Sequence, residues 1–281
     1  MFPPSNMMPS KMPPGAVRNL DQDASSAPVE AGQFDGDWIN TSASPQGWHA
    51  LQTSYLEGVP AIRARLKDGT VVEFSGITLY GGIGSNDLAA FRAEHVGKGS
   101  RILLQGNLNL GLLVLATFKI PTAGGIGFFS REFFARSRLA APGMAASGDS
   151  DALFEQFNTP EASGGQAWLG RWHNADSQTR GLLEITLEET GHGITARALG
   201  TPVSGGDPPI DWGHADTQVI ACLDEAGQPS LAALATWKFD NLVTELQLRI
   251  SGGTMVVAGF NEFRDGRMNY ATREFFFRVS G

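Results

Sequence analysis

Asp211-Trp212-Gly213-His214 puts a carboxylate, an indole and an imidazole within four residues. Asp211 and His214 are side chains that exchange protons, so they are the candidate acid/base pair, a role that requires a placed substrate and a tuned pKa. Trp212 is a candidate ligand-binding surface, joined by Arg197, Arg65, Tyr270, Asn269, Arg267, Trp237 and Tyr80, which supply hydrogen-bond donors and aromatic faces. The same tetrapeptide also reads as a turn, with Asp capping, Gly taking a positive φ and Trp plugging an end. Asp265-Gly266 reads as a two-residue type I′ hairpin turn, which leaves Arg267, Asn269 and Tyr270 to line a mouth.

Other chemistry finds little support. The five histidines, His49, His95, His173, His192 and His214, show no H-x-H or H-x₃-H spacing, and there is a single cysteine, Cys222. No metal and no cofactor is therefore expected, and Cys222 reads as a small core residue. No Gly-x-Ser-x-Gly, Walker or Rossmann pattern occurs; Gly81-Gly82-Ile83-Gly84 lacks the spacing. A net charge of −8 without a basic cluster argues against nucleic acid. The longest apolar run, Leu110 to Phe118, covers nine residues, against roughly 20 for a membrane-spanning helix. The proline-rich start MFPPSNMMPSKMPPG lacks the apolar core of a secretory signal, so a cytoplasmic location is expected. A small neutral or apolar molecule is the expected partner, with a homodimer left open.

The elements that must position these residues are strands. Gly111 to Arg136 (GLLVLATFKIPTAGGIGFFSREFFAR) and Gly253 to Arg278 (GTMVVAGFNEFRDGRMNYATREFFFR) are each 26 residues long and agree at ten positions without a gap, among them Arg131/Arg273, Glu132/Glu274 and Arg136/Arg278. Such a repeat implies a duplicated domain. The starts repeat too: Gly36-Asp37-Trp38-Ile39-Asn40 and Gly170-Arg171-Trp172-His173-Asn174 both read G-x-W-x-N. In a strand these Gly, Trp and Asn residues share a face. Gly181 to Glu188 alternates, with Leu183, Ile185 and Leu187 expected inward. I-x-A-R follows at Ile62 to Arg65 and at Ile194 to Arg197, the arginines facing away from Ile and Ala unless a bulge intervenes. Composition agrees with an all-β chain of short strands, with 42% apolar residues, 18% charged and 35 glycines. The boundaries expected are a Pro/Met/Ser-rich tail at 1–33, a β-barrel at 34–138, a linker at 139–165 with one or two helical turns over 149–157, and a second β-barrel at 166–281.

A G-x-W on the first strand with an arginine on the last resembles the signature of lipocalins and their calycin relatives, in which the arginine packs across the indole and closes the barrel floor. The resemblance implies two tandem antiparallel calycin-like (lipocalin- or avidin-like) barrels, with Trp38 paired to Arg131 or Arg136 and Trp172 to Arg273 or Arg278, all as scaffold. The second copy also resembles a small bacterial β-barrel domain of no established activity, through Trp172, Asn174, Asp176, Thr179-Arg180-Gly181, Asp211-Trp212-Gly213, Asp265-Gly266-Arg267, Asn269-Tyr270 and Glu274-Phe275. The first expectation is binding of a small, mostly apolar ligand in a barrel cavity. The alternatives are a cofactor-free cyclase or isomerase using the cavity as a shaped container, and a carbohydrate- or protein-binding module with two related sites.

Overall fold

Short alternating runs separated by glycine-rich turns form strands throughout the computed structural model, which describes residues 28–97, 99–124, 127–137, 168–191, 193–202, 206–223 and 229–279. The chain is all-β: the described residues hold sixteen strands and one 3-10 turn, Ala31–Gln33. None of their helices is long and apolar enough to cross a membrane. The tail before residue 28, the linker at 139–165 and the helical turns expected within it lie outside the described residues.

Contacts divide the described chain into two compact units, one holding residues 27–164 with 219–232 and the other 165–218 with 233–281. In the first, β1 (Gly36–Asn40), β2 (Trp48–Leu56), β3 (Val59–Leu66), β4 (Val71–Gly82), β5 (Ser85–Val96), β6 (Ser100–Asn109), β7 (Leu112–Pro121) and β8 (Gly127–Arg136) follow one another as antiparallel neighbours. Hydrogen bonding then returns to the start, since β8 also pairs with β1, Trp38 opposite Arg136 and Asn40 opposite Phe134. This barrel-like arrangement buries Trp48, Leu51, Ile62, Phe74, Ile102 and Phe134 among its core residues.

The pattern repeats with β9 (Gly170–Asn174), β10 (Leu182–Thr190), β11 (Gly193–Gly200), β12 (Ile210–Leu223), β13 (Pro229–Lys238), β14 (Leu242–Ser251), β15 (Thr254–Phe263) and β16 (Tyr270–Arg278), which make up the second unit except for the end of β12 from residue 219 and the start of β13 up to residue 232. Here β16 pairs with β9, Arg278 opposite Trp172 and Phe276 opposite Asn174.

Three local expectations change. Leu182, not Leu183, is buried beside Ile185 and Leu187, because the β10–β11 register shifts between Leu182 and Glu184 and turns the alternation by one residue. Asp211 to His214 lies inside β12 rather than in a turn: Gly213, at φ 76°, forms an irregularity where the β11–β12 register shifts. Asp265-Gly266 belongs to the longer connection 264–269 rather than a two-residue turn. There Asn269 Oδ1 accepts from the Phe263 N–H at 2.8 Å, and the Arg264 N–H donates to the Asn241 carbonyl at 2.9 Å, which holds the wider loop.

Candidate functional site

The repeated G-x-W motif builds one end of the first unit. Trp38 points inward, 4% exposed, and its Nε1 donates to Thr53 Oγ1 at 3.0 Å. The Arg136 guanidinium lies over the indole, 5.1 Å from its centroid, and donates to the backbone carbonyls of Gln33 and Asp35. Such a stack contributes about 0.5–1 kcal/mol where exposed. Gly36 gives it room, because a Cβ there would sit a tight 3.0 Å from Arg136 Nε. Arg131 lies instead over Phe133, at 4.8 Å, and Arg273 over Phe275, at 5.3 Å. In the second unit Arg278 faces Trp172 across the ladder, with its Nε 3.6 Å from where a Gly170 Cβ would be; the Trp172 indole donates to the Trp168 carbonyl at 3.0 Å.

Two residues that sequence reasoning assigned no role prove central to both units. Glu132, 7% exposed, accepts from Asn40 Nδ2 at 2.9 Å and from the N–H groups of Gln46, Gly47 and Trp48 at 3.0, 3.3 and 3.2 Å. Asn40 Nδ2 also donates to the Trp48 carbonyl at 2.8 Å. Glu274 likewise accepts from Asn174 Nδ2 and Thr179 Oγ1, both at 2.8 Å, while Asn174 donates to the Leu182 carbonyl at 2.7 Å. Each carboxylate thus ties the last strand to the loop after the first. Burial pushes both carboxyl groups above the ordinary glutamate value, and the donors around them pull part of the way back. The signal was present in the paired Asn40/Asn174 and Glu132/Glu274.

Asp211 and His214 share the exposed outer face of β12, because the irregularity at Gly213 restores the outward direction one residue late. Asp211 is held by Arg197, whose Nε lies 3.1 Å from Oδ1, and this donor pair draws the carboxyl below its ordinary range. No hydrogen bond joins Asp211 to His214 among the described residues. A depressed, ion-paired, outward carboxylate is a weak base, the reverse of one poised near neutrality. The neighbouring outward row on β9 and β10 is similar: Glu184 Oε2 lies 2.7 Å from both Arg171 Nη2 and His173 Nε2.

Trp212 points inward and packs edge-on against Trp237 and Phe239, each at 5.9 Å, while the Trp237 indole donates to the Gly213 carbonyl at 3.1 Å. Gly200 makes room, since a Cβ there would meet Trp212 Nε1 at 2.9 Å. Tyr270 is buried against Phe263, and Arg267 folds onto Asp265 and lies 4.3 Å from the Phe263 ring. Tyr80 is fully buried and Arg65 half-buried in the first unit. No group of three or more metal-ligating side chains comes together among the described residues.

A cleft of ligand size lies at the Trp38–Arg136 end of the first unit. Its volume is about 360 Å³, and it is walled by Trp38, Leu88, Leu108 and Leu110 with Gly111, and rimmed by Gln33, Asn109 and Arg136. Beneath it, the space between Phe34, Trp38, Leu88, Phe91 and Leu113 admits no water molecule, so the floor is solid. Leu110 is 98% exposed and holds φ 50°, with Gly111 at φ 81°. The corresponding turn of the second unit has glycines at both places, Gly252 at φ 57° and Gly253 at φ 79°. A leucine in this left-handed conformation costs about 1–2 kcal/mol, and here no packing offsets it. Strands alternate in direction, so the β2–β3 and β4–β5 turns stand at this same end; Leu56 and Val59 are 70% and 65% exposed, and Ile83 is exposed too.

The chain matches no known family model and no curated protein.

Proposed function

We propose that the chain consists of two calycin-like β-barrels related by internal duplication, and that the first binds a small, mostly apolar molecule at the end where Trp38 and Arg136 meet. The return of β8 to β1 and of β16 to β9 supports the architecture, as does the Arg136 stack on Trp38. One observation carries the binding reading: a cleft of about 360 Å³, within the size range of small-molecule sites, with Trp38 and three leucines on its walls and Gln33, Asn109 and Arg136 on its rim, above a floor that admits no water molecule. The solid floor beneath the cleft holds a ligand bound there at the barrel end. The outward ion pair of Asp211 with Arg197 favours binding over acid/base turnover.

Native mass spectrometry of protein purified from its own host tests this, followed by denaturing extraction of whatever leaves with it. A stoichiometric small apolar molecule, lost when Leu108→Asp fills the cleft with charge, is the expected result. A folded protein that carries nothing and takes up no apolar probe refutes it.

A further inference from the structure

The binding reading leaves open what the polar side of the cleft is for, and Arg136 answers it. Several arginines in this acidic chain face a carboxylate: Arg63 with Glu73, Arg101 with Glu94, Arg171 with Glu184, Arg197 with Asp211, and Arg267 with Asp265. Arg136 does not. Its partners among the described residues are two backbone carbonyls and the Trp38 face, which orient the guanidinium without neutralising it. The acidic side chains on either side of Gly36 are engaged elsewhere, Asp35 accepting from the Tyr55 N–H and Asp37 from Gln52 Nε2 at 3.1 Å. The two carbonyls take the Nη2 protons and so fix the guanidinium plane, which leaves the Nη1 donors at the rim for a charge-assisted hydrogen bond to a carboxylate or sulfonate oxygen.

Opposite stands Leu110, at a position where the corresponding turn of the second unit has Gly252. Its exposed side chain continues the apolar wall formed by Leu88 and Leu108. One rim thus offers a cation with no carboxylate partner among the described residues, and the other a hydrocarbon surface.

Resting on the binding reading above, we infer that the cleft takes an amphipathic organic monoanion, with its acid group on Arg136 and its hydrocarbon body between Trp38, Leu108 and Leu110. The charge selects the ligand's orientation, and the leucines provide contact area.

Two fluorescent probes that share one ring system separate this inference from the reading beneath it: 8-anilino-1-naphthalenesulfonate, which is anionic, and N-phenyl-1-naphthylamine, which is neutral. Titrated into the full chain at low salt, the sulfonate should bind at one site per chain and about tenfold or more tightly than the amine. The gap should narrow with added salt and largely close in Arg136→Gln. Leu110→Gly, which installs the residue that the second unit uses, should weaken both probes severalfold and leave their ratio unchanged. Hydrogen exchange on the unaltered chain covers the case in which Arg136→Gln does not fold: the bound sulfonate should slow exchange over residues 106–112 and 133–137. Equal affinity for the two probes, both weakened by Leu110→Gly, would overturn the anion preference and leave the binding reading standing. A sulfonate preference that survives in folded Arg136→Gln, or protection confined to other segments, would also overturn it. Binding of neither probe removes the binding reading itself.

Discussion

Glu132→Ala should destabilise the first unit by about 2–4 kcal/mol. The carboxylate gathers four donors, and the loss is unequal among them. Asn40 keeps its bond to the Trp48 carbonyl, and Gln46 is exposed, so its N–H finds water. The N–H groups of Gly47 and Trp48 are left buried with no acceptor, at about 1–3 kcal/mol each. Against this, burial makes the charged carboxylate costly to begin with, as its raised pKa records, so the net loss falls in the lower part of that sum. Glu132→Gln keeps one carbonyl oxygen for Asn40, Gln46 and Gly47 and turns an NH₂ toward the Trp48 N–H. It should cost about 1–2 kcal/mol, close to the value of one bond. Urea unfolding of the full chain, followed by tryptophan fluorescence and circular dichroism, gives both values from the shift in midpoint at constant slope. The reasoning fails if Glu132→Ala lies within about 0.5 kcal/mol of the unaltered chain, the scatter of ordinary surface changes, or if the glutamine variant is the weaker of the two.

Gly106→Ala would place a Cβ 2.3 Å from the Phe91 ring, its cross-strand partner, and 3.0 Å from Leu113. A loss of about 1–3 kcal/mol in thermal denaturation is expected, and adding Phe91→Leu should cost less than the sum of the two single changes. Glu184 is held below its ordinary value of 4.5, first by the hydrogen bond from Arg171. Its folded pKa is thus the lower one, so its stabilisation is present above that ordinary value and is lost as pH falls through the folded one. In a pH series of melting temperatures, the advantage of the unaltered chain over Glu184→Gln should therefore shrink below about pH 4.5; a constant difference would contradict the assignment. Leu110→Gly should raise stability by about 1 kcal/mol, since it relieves the left-handed backbone and gives up no packing. A lower melting temperature would show that Leu110 is supported by contacts after all.

The strands were legible because alternation and turn chemistry are local, and the repeated ends marked which strands must correspond. Single-residue irregularities were not. Gly213 moves His214 onto the face of Asp211, and the shift after Leu182 moves Leu183 off the core, yet neither leaves a mark on a period of two. Glu132 was visible as a repeated residue, but its role depends on the N–H groups of residues 46–48, whose direction a pattern does not reveal. The cleft was least legible of all. It joins Gln33 to Arg136 through the hydrogen bonding of β8 back to β1, so none of its chemistry is contiguous in the chain.

What distinguishes scaffold from the proposed site is the pattern of agreement between the two sequence repeats. The carboxylate latch recurs, Glu132 with Asn40 and Glu274 with Asn174, in matching geometry, as expected of parts that the fold itself requires. The β6–β7 turn does not recur. The second unit uses the residue best suited to the backbone, and the first holds a leucine where the conformation penalises it and solvent surrounds it. A purely structural residue loses stability when changed, whereas Leu110 should gain stability and lose affinity in the same substitution. That opposite pair of signs ties the cost at this turn to ligand contact, since a tolerated accident of sequence would give the gain without the loss.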